Sequence, residues 1–172
     1  RSSYRVRRNS ISPCTRSCNN ALPCNEPKRK EPTPLSIRQS FEAPAPEDYL
    51  SLRQRSGMGE KDRTRSETAL RNSLFTVSIY DGDLLIAFGR IAGDGGITYV
   101  VSDIMVDATY QRKGYGEHVM QAIDRYFDEH AHEDSYIVLI ANRPADRLYH
   151  KHRFAYLPEN KCGMLRDQRK ET

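Results

Sequence analysis

Tryptophan is absent from the 172 residues, and no stretch approaches the roughly 18 to 20 consecutive apolar residues that a membrane-crossing helix needs. Transmembrane helices are therefore not expected. Cysteine is scarce and badly placed for a stapled fold: Cys14, Cys18 and Cys24 sit near the start and Cys162 stands alone in the rest. That usage fits a reducing intracellular setting, probed first as cytoplasmic, better than a disulfide framework. Neither spacing among the first three matches the two-residue gap of a zinc knuckle, so no metal is expected. Acids are rare in the first 40 residues, where Glu26 and Glu31 face nine Lys or Arg for a net +7, leaving the remainder at a net −3. The basic charge belongs to the head of the chain, and it says little about what the body binds.

What is present divides the chain the same way. Residues 1–33 are interrupted by Pro13, Pro23, Pro27 and Pro32, carry no helical or strand period, and read as a disordered basic tail. Arg1, Arg5, Arg7, Arg8 and Arg16 with several serines and no acid before Glu26 also suit an organelle transit peptide, although the amphipathic period is weak. Position 1 is Arg rather than Met, which leaves a start upstream open. Residues 34–172 carry the folded domain.

In that domain, 34–40 reads as an edge strand, 45–54 and 64–72 as helices, with Tyr49, Leu52 and Arg53 on one side of the first. Strands at 74–80, 84–92 and 97–106, separated by Asp81-Gly82-Asp83 and Gly93-Asp94-Gly95-Gly96, form an antiparallel meander. Val119, Met120, Ile123, Tyr126 and Phe127 then recur at helical spacing over 116–130, followed by an apolar run at 136–141. Strand, helix and strand make a crossover, so the strands at 97–106 and 136–141 are expected to lie parallel. A last helix at 144–152 and short closing strands at 154–157 and 163–166 complete a mixed α/β class.

The chemistry concentrates between the third strand of the meander and the long helix. Gln111-Arg112-Lys113-Gly114-Tyr115-Gly116 puts two glycines one residue apart where a helix begins, so free amides and the positive dipole end face one place. A phosphate or pyrophosphate fits there. The third glycine of a dinucleotide fingerprint and the GK[ST] ending of a triphosphate loop are both missing.

Val106, Gln111-x-x-Gly114-x-Gly116, the apolar strand 136–141, and Asn142-x-x-Ala145-x-x-x-Tyr149 with Phe154 following occur in an order that resembles the GNAT superfamily of acyl-CoA N-acyltransferases. The resemblance spans about residues 34–166. It implies a largely antiparallel sheet that splays into a V between the strands at 97–106 and 136–141, with about four helices around it. It implies acetyl-CoA as co-substrate, its pantetheine arm bonded to main chain around Ile104, Met105 and Val106. The pyrophosphate is expected on the amides of Gln111, Arg112, Lys113, Gly114, Tyr115 and Gly116, with Asn142 on the pantetheine. Tyr149 is expected near the thioester sulfur.

The expected reaction is acetyl transfer to a primary amine, small-molecule or peptide, by direct attack in a ternary complex. Oxyanion stabilisation then comes from an amide near Val106, and Tyr149 hydrogen-bonds or protonates the leaving thiolate. A primary alkylamine, with pKa near 10.4, is over 99% protonated at pH 7, so a proton acceptor is wanted. Asp103 is the first candidate, and Asp107 and Glu117 follow. The net −3 body favours a cationic amine. His118, His130, His132, His150 and His152 are expected at the surface, and Asn142 has a second reading as a helix cap before Pro144. Two departures from the family pattern stand out: Ala108 where proline is common, expected to loosen the turn, and Arg153 where glycine takes positive φ, expected to strain the last cap. Two other readings are a CoA-binding regulator with little turnover, and a nucleic-acid-associated protein gripping phosphates with its tail. The latter is disfavoured because Tyr4 is the tail's one aromatic residue. A homodimer is compatible with the sequence.

Overall fold

The computed structural model describes residues 36–166. The tail, with its cysteines and its targeting and zinc readings, lies outside the described residues. Element order is β1 (Ile37–Ser40), α1 (Pro46–Arg55), α2 (Arg63–Arg71), β2 (Phe75–Asp81), β3 (Leu84–Gly93), β4 (Thr98–Val106), a 3₁₀ turn (Ala108–Tyr110), α3 (Tyr115–His130), β5 (Tyr136–Leu139) and α4 (Asp146–Lys151).

One sheet holds the strands in the order β1-β2-β3-β4-β5, antiparallel from β1 to β4 and parallel between β4 and β5. The mixed α/β class, the meander and the parallel crossover stand as the sequence led us to expect. Local chemistry fixes the turns. Gly82 sits at φ +59 in the β2–β3 hairpin, and Asp94 Oδ1 accepts from the amides of Gly96, Ile97 and Thr98 at 2.9, 2.9 and 3.0 Å, shaping the β3–β4 turn. Asp62 caps α2 by accepting from the Arg65 amide, and α1 opens on Pro46 with Glu47 and Asp48 against its dipole.

Each sheet face buries its own core. On one, Val119, Met120, Ile123 and Phe127 of α3 pack on Val77, Ile79, Ile91, Tyr99 and Val101. On the other, Tyr49 and Leu52 of α1 and Leu70 of α2 pack on Leu85, Phe88 and Met105. Gly89 lets α3 come close: a Cβ there would stand 2.5 Å from Val119 Cγ1 and 2.8 Å from Ile104 Cδ1.

The expected closing strands are not formed. After β5 the described chain holds no strand, and Tyr156, Leu157, Met164 and Leu165 are exposed. The reason is visible at Phe154, whose N–H donates to Tyr149 O at 3.2 Å and whose carbonyl meets His150 Nδ1 at 3.0 Å. Those backbone groups are committed to α4 and not to a sheet ladder. Pro158 further removes a donor from the segment.

Candidate active site

A bulge in β4 opens the site. Phe88 pairs with Met105 and Arg90 with Ser102, so Asp103 and Ile104 together oppose the single residue Gly89. The insertion reverses the strand's alternation. Before it, Tyr99 and Val101 face α3; after it Ile104 faces α3 and Met105 turns to the α1/α2 side. Asp103 takes the positive φ, at +55. Only Thr98 to Val101 pair with β5, whose last residue is Leu139. From Ser102 to Val106 β4 runs on without a β5 neighbour. The gap is a cleft of about 320 Å³ lined by both diverging strands, by Ser56 and Met58 after α1, by Gln111, and by Asn142, Ala145 and Tyr149. The expected strand at 136–141 is thus shorter in the sheet, and Ile140 leaves it at 84% exposure. The V-shaped opening is present, with Ile104, Met105 and Val106 along one wall.

Past Val106 the chain turns sharply. Asp107, buried, accepts from the Thr109 amide at 2.9 Å and the Thr109 hydroxyl at 2.7 Å, and receives Arg55 Nε at 2.6 Å. Ala108 therefore sits in a turn fastened by Asp107, not a loose one. Burial pushes the Asp107 carboxyl up, but the Thr109 bonds and Arg55 outweigh it and hold it below the usual range. Its oxygens are engaged in holding this turn and Arg55.

Gln111 Nε2 then donates to the Val106 carbonyl at 3.1 Å. Arg112 at φ +61 and Gly114 at φ +92 alternate with right-handed or extended neighbours, which directs successive amides to one side. No side chain caps α3, and nothing lies within 4 Å of the place a Gly114 Cβ would take. The bend is open where an anion would rest. Lys113 is drawn over the Tyr110 ring at 4.9 Å, so its charge is held beside the turn. At Gly116 a Cβ would touch Leu148 Cδ2 at 3.4 Å, which marks close contact between α3 and α4.

Tyr149 of α4 lines the cleft, half-buried, its ring edge-on to Phe154 at 6.3 Å. Burial raises its phenol above the ordinary value, so it stays protonated at neutral pH and remains a donor. Asn142 also lines the cleft. Its main-chain carbonyl accepts from the Ala145 amide at 2.8 Å, while α4 is entered from Ala145 without a side-chain cap. The capping alternative is therefore not taken, and the amide side chain is left for the cleft.

Asp103 is placed differently from a free base. Arg53 Nη1 donates to its Oδ1 at 2.8 Å, while Arg90 Nε and the Tyr49 hydroxyl donate to its Oδ2 at 2.6 and 3.0 Å. Burial pushes the carboxyl up, yet Arg90, Tyr49 and Arg53 overcome that and hold it below the usual carboxylate range. These bonds pin the bulge to α1 and β3. Arg53 also donates to Gly59 O at 3.1 Å and Met58 O at 3.0 Å, fixing the loop that walls the cleft. Arg53 and Arg90 were not singled out as site residues from sequence. The signal was there in part, since an arginine sharing the apolar face of α1 with Tyr49 and Leu52 has to find a buried acid.

Glu117, the remaining proton-acceptor candidate, approaches Lys151 at 3.8 Å and His152 Nε2 at 3.3 Å, joining the first turn of α3 to α4. His152 corrects the expectation of surface histidines: it is buried, and its Nδ1 lies 2.5 Å from Asp124 Oδ2. His130, His132 and His150 are exposed as expected. Among the described residues no group of three His, Cys, Asp or Glu is arranged to hold a metal, and no helix is long and apolar enough to cross a membrane.

The arrangement has close counterparts in known proteins. A structure from meticillin-resistant Staphylococcus aureus, described as a probable acetyltransferase of unknown function, is 40% identical with a TM-score of 0.73, covering 76% of this chain and 98% of its own. A GNAT-family acetyltransferase from Streptococcus pneumoniae is 26% identical with a TM-score of 0.61, covering 79% of this chain and 99% of its own. The ribosomal-protein-S18-alanine N-acetyltransferase of Escherichia coli, 16% identical with a TM-score of 0.59 over 71% of this chain and 79% of its own, shares the fold. No curated protein matches. The family model for the acetyltransferase (GNAT) family matches residues 35–154, so the chain belongs to that family, which indicates acyltransferase activity.

Proposed function

We propose that this chain transfers the acetyl group of acetyl-CoA to a primary amine by direct attack in a ternary complex. The observation that carries this reading is the parting of β4 from β5 after Val101, which leaves the main chain of Ser102 to Val106 facing an open cleft. An extended amide-bearing arm suits such a wall, because strand main chain offers alternating donors and acceptors. Ile104, Met105 and Val106 are its contacts in this reading, and Asn142 is a further one. The pyrophosphate belongs on the amides of Gln111 to Gly116, where the bend at Gly114 is unobstructed.

The thioester supplies the activated acyl group. Chain groups orient it, offer an amide near Val106 to the carbonyl oxygen as charge develops, and present the Tyr149 phenol to the departing sulfur. Full proton transfer from a phenol near 10 to a thiolate near 8.5 is uphill by about 2 kcal/mol, and burial of Tyr149 widens that gap. Hydrogen bonding to sulfur is then its larger contribution.

Release of free thiol from acetyl-CoA, followed over a panel of amines, tests the activity. Tyr149→Phe is expected to lower kcat by about 10²-fold while acetyl-CoA binding measured by calorimetry is retained. An unchanged kcat removes Tyr149 from the chemistry. Binding of acetyl-CoA with no thiol released by any amine overturns the transferase reading.

A further inference from the structure

Tyr149 stands on a helix that supplies little of its own order. α4 has six residues and no side-chain cap at its start, and a helix that short takes its place from its neighbours. Leu148 packs against the first turn of α3, where a Gly116 Cβ would come within 3.4 Å of Leu148 Cδ2. At the far end of α4, among the described residues, three side chains reach across to α3. Lys151 approaches Glu117 at 3.8 Å, and Arg153 donates to Asp128 at 2.7 Å. The Lys151 and Arg153 side chains are 68% and 69% exposed, so water competes for both contacts and they fix little.

His152 is the third, and its setting is different. Its side chain is 4% exposed, and Nδ1 donates to Asp124 Oδ2 at 2.5 Å, a carboxylate having only acceptors to offer. Nε2 lies 3.3 Å from Glu117 Oε1 without making a hydrogen bond. Glu117 and Asp124 lie on one face of α3, two turns apart, so the ring is set against two turns of that helix. The main-chain amide of His152 meanwhile donates to the Tyr149 carbonyl at 2.9 Å. One residue thus ties the turn that bears the phenol to the helix that opens at the glycine bend.

His152 does not line the cleft. Any part it has in the reaction passes through Tyr149. A hydrogen bond to the departing sulfur gains its strength as the C–S bond breaks, and it weakens steeply with distance and angle. A misplacement of about 1 Å costs on the order of 10²-fold in rate. Loosening α4 therefore lowers kcat and leaves the binding of acetyl-CoA largely as it was.

Resting on the acetyl-transfer reading above, we propose that His152 is a positioning residue: through its bond to Asp124 it clamps the end of α4 to α3 and holds Tyr149 at the thioester sulfur.

Thiol release by the full chain, with the best amine of the panel at saturation, gives kcat per acetyl-CoA site. The sites are counted by calorimetry, so unfolded protein does not enter. His152→Leu keeps an apolar side chain in the buried place and removes both ring nitrogens. His152→Asn sets an amide N–H where Nδ1 stood, and Asp124→Ala removes the partner from a side chain that is 23% exposed. The expected kcat is lower by about tenfold in His152→Leu and in Asp124→Ala, with the KM for acetyl-CoA within about twofold of native. His152→Asn should bring kcat back to within about threefold of native. Combination with Tyr149→Phe separates positioning from a general loss of structure. Once the hydroxyl is gone, His152→Leu should lower kcat by less than about twofold more. Equal losses with and without Tyr149→Phe, a kcat that neither His152→Leu nor Asp124→Ala changes, or His152→Asn as slow as His152→Leu overturns the proposal and leaves acetyl transfer standing. If His152→Leu does not fold, Asp124→Ala with and without Tyr149→Phe decides the question. A native chain that binds acetyl-CoA and releases no thiol with any amine sinks the acetyl-transfer reading, and this inference with it.

Discussion

Asp103, in the bulge of β4, accepts from Tyr49 and Arg53 of α1 and from Arg90 of β3. It takes a backbone conformation uncommon outside glycine, asparagine and aspartate, at φ +55, and it answers the buried Arg53 and the partly buried Arg90 on separate elements. Removing its charge leaves the buried Arg53 and the partly buried Arg90 without their shared carboxylate. Asp103→Asn is expected to cost about 3 kcal/mol, near the lower end for a broken buried pair because the amide oxygen still accepts. The pH dependence follows from the direction of the shift. The carboxyl is held below its unfolded value of about 3.9, so its stabilising contribution is complete above that pH and is lost as pH falls through the folded value. Urea unfolding should show a large gap between Asp103→Asn and the native protein at pH 6 and a smaller one at pH 3. A gap that widens on acidification would contradict this account.

At the scale of elements, α4 is the weakest piece that the site depends on. It has only six residues, Asp146–Lys151, yet it carries Tyr149, and a helix so short is held by its surroundings rather than by its own propensity. Its end is strained as the sequence foretold: Arg153 occupies φ +65. A left-handed arginine costs about 1 to 2 kcal/mol, against which the greater freedom of glycine in the unfolded chain returns about 0.4 to 1. The ion pair of Arg153 with Asp128 joins side chains 69% and 59% exposed and offsets little. Arg153→Gly is therefore expected to raise stability by about 0.5 kcal/mol, seen as an increase in Tm of roughly one to three degrees by calorimetry; a decrease would mean that the Asp128 contact outweighs the strain. The cap was legible because a positive-φ position after a helix leaves a fixed place in the pattern. The closing strands were misread because alternation in 154–157 carries no record of a partner, and the backbone of Phe154 is engaged by α4. His152 was misread for a related reason, since Asp124 lies 28 positions away and only folding brings it to the ring.

For the folded body as a whole, the meander, the long helix and the glycine bend were all readable, because each depends on residues close in sequence. The charge cluster was not, since Arg53, Arg90 and Asp103 meet across 50 and 13 positions. Those long-range contacts also govern how the body comes apart. Strands β3 and β4 serve both cores at once: Ile91, Tyr99 and Val101 face α3, while Phe88 and Met105 face α1 and α2. Neither core can open without disturbing the strands the other rests on, so unfolding of this unit should be a single cooperative step. Phe88 is fully buried and edge-on to Tyr49 at 5.5 Å. Phe88→Ala is expected to cost about 3 to 5 kcal/mol. Tyrosines on both faces supply the probe, Tyr49 on one and Tyr99 on the other, while far-ultraviolet circular dichroism follows the helices. In the variant, near-ultraviolet and far-ultraviolet signals should shift together to lower urea with unchanged slope. Separate midpoints would show that the α1/α2 core melts alone, and the pinning of the bulge by Arg53 and Asp103 would then be too weak to join the two faces.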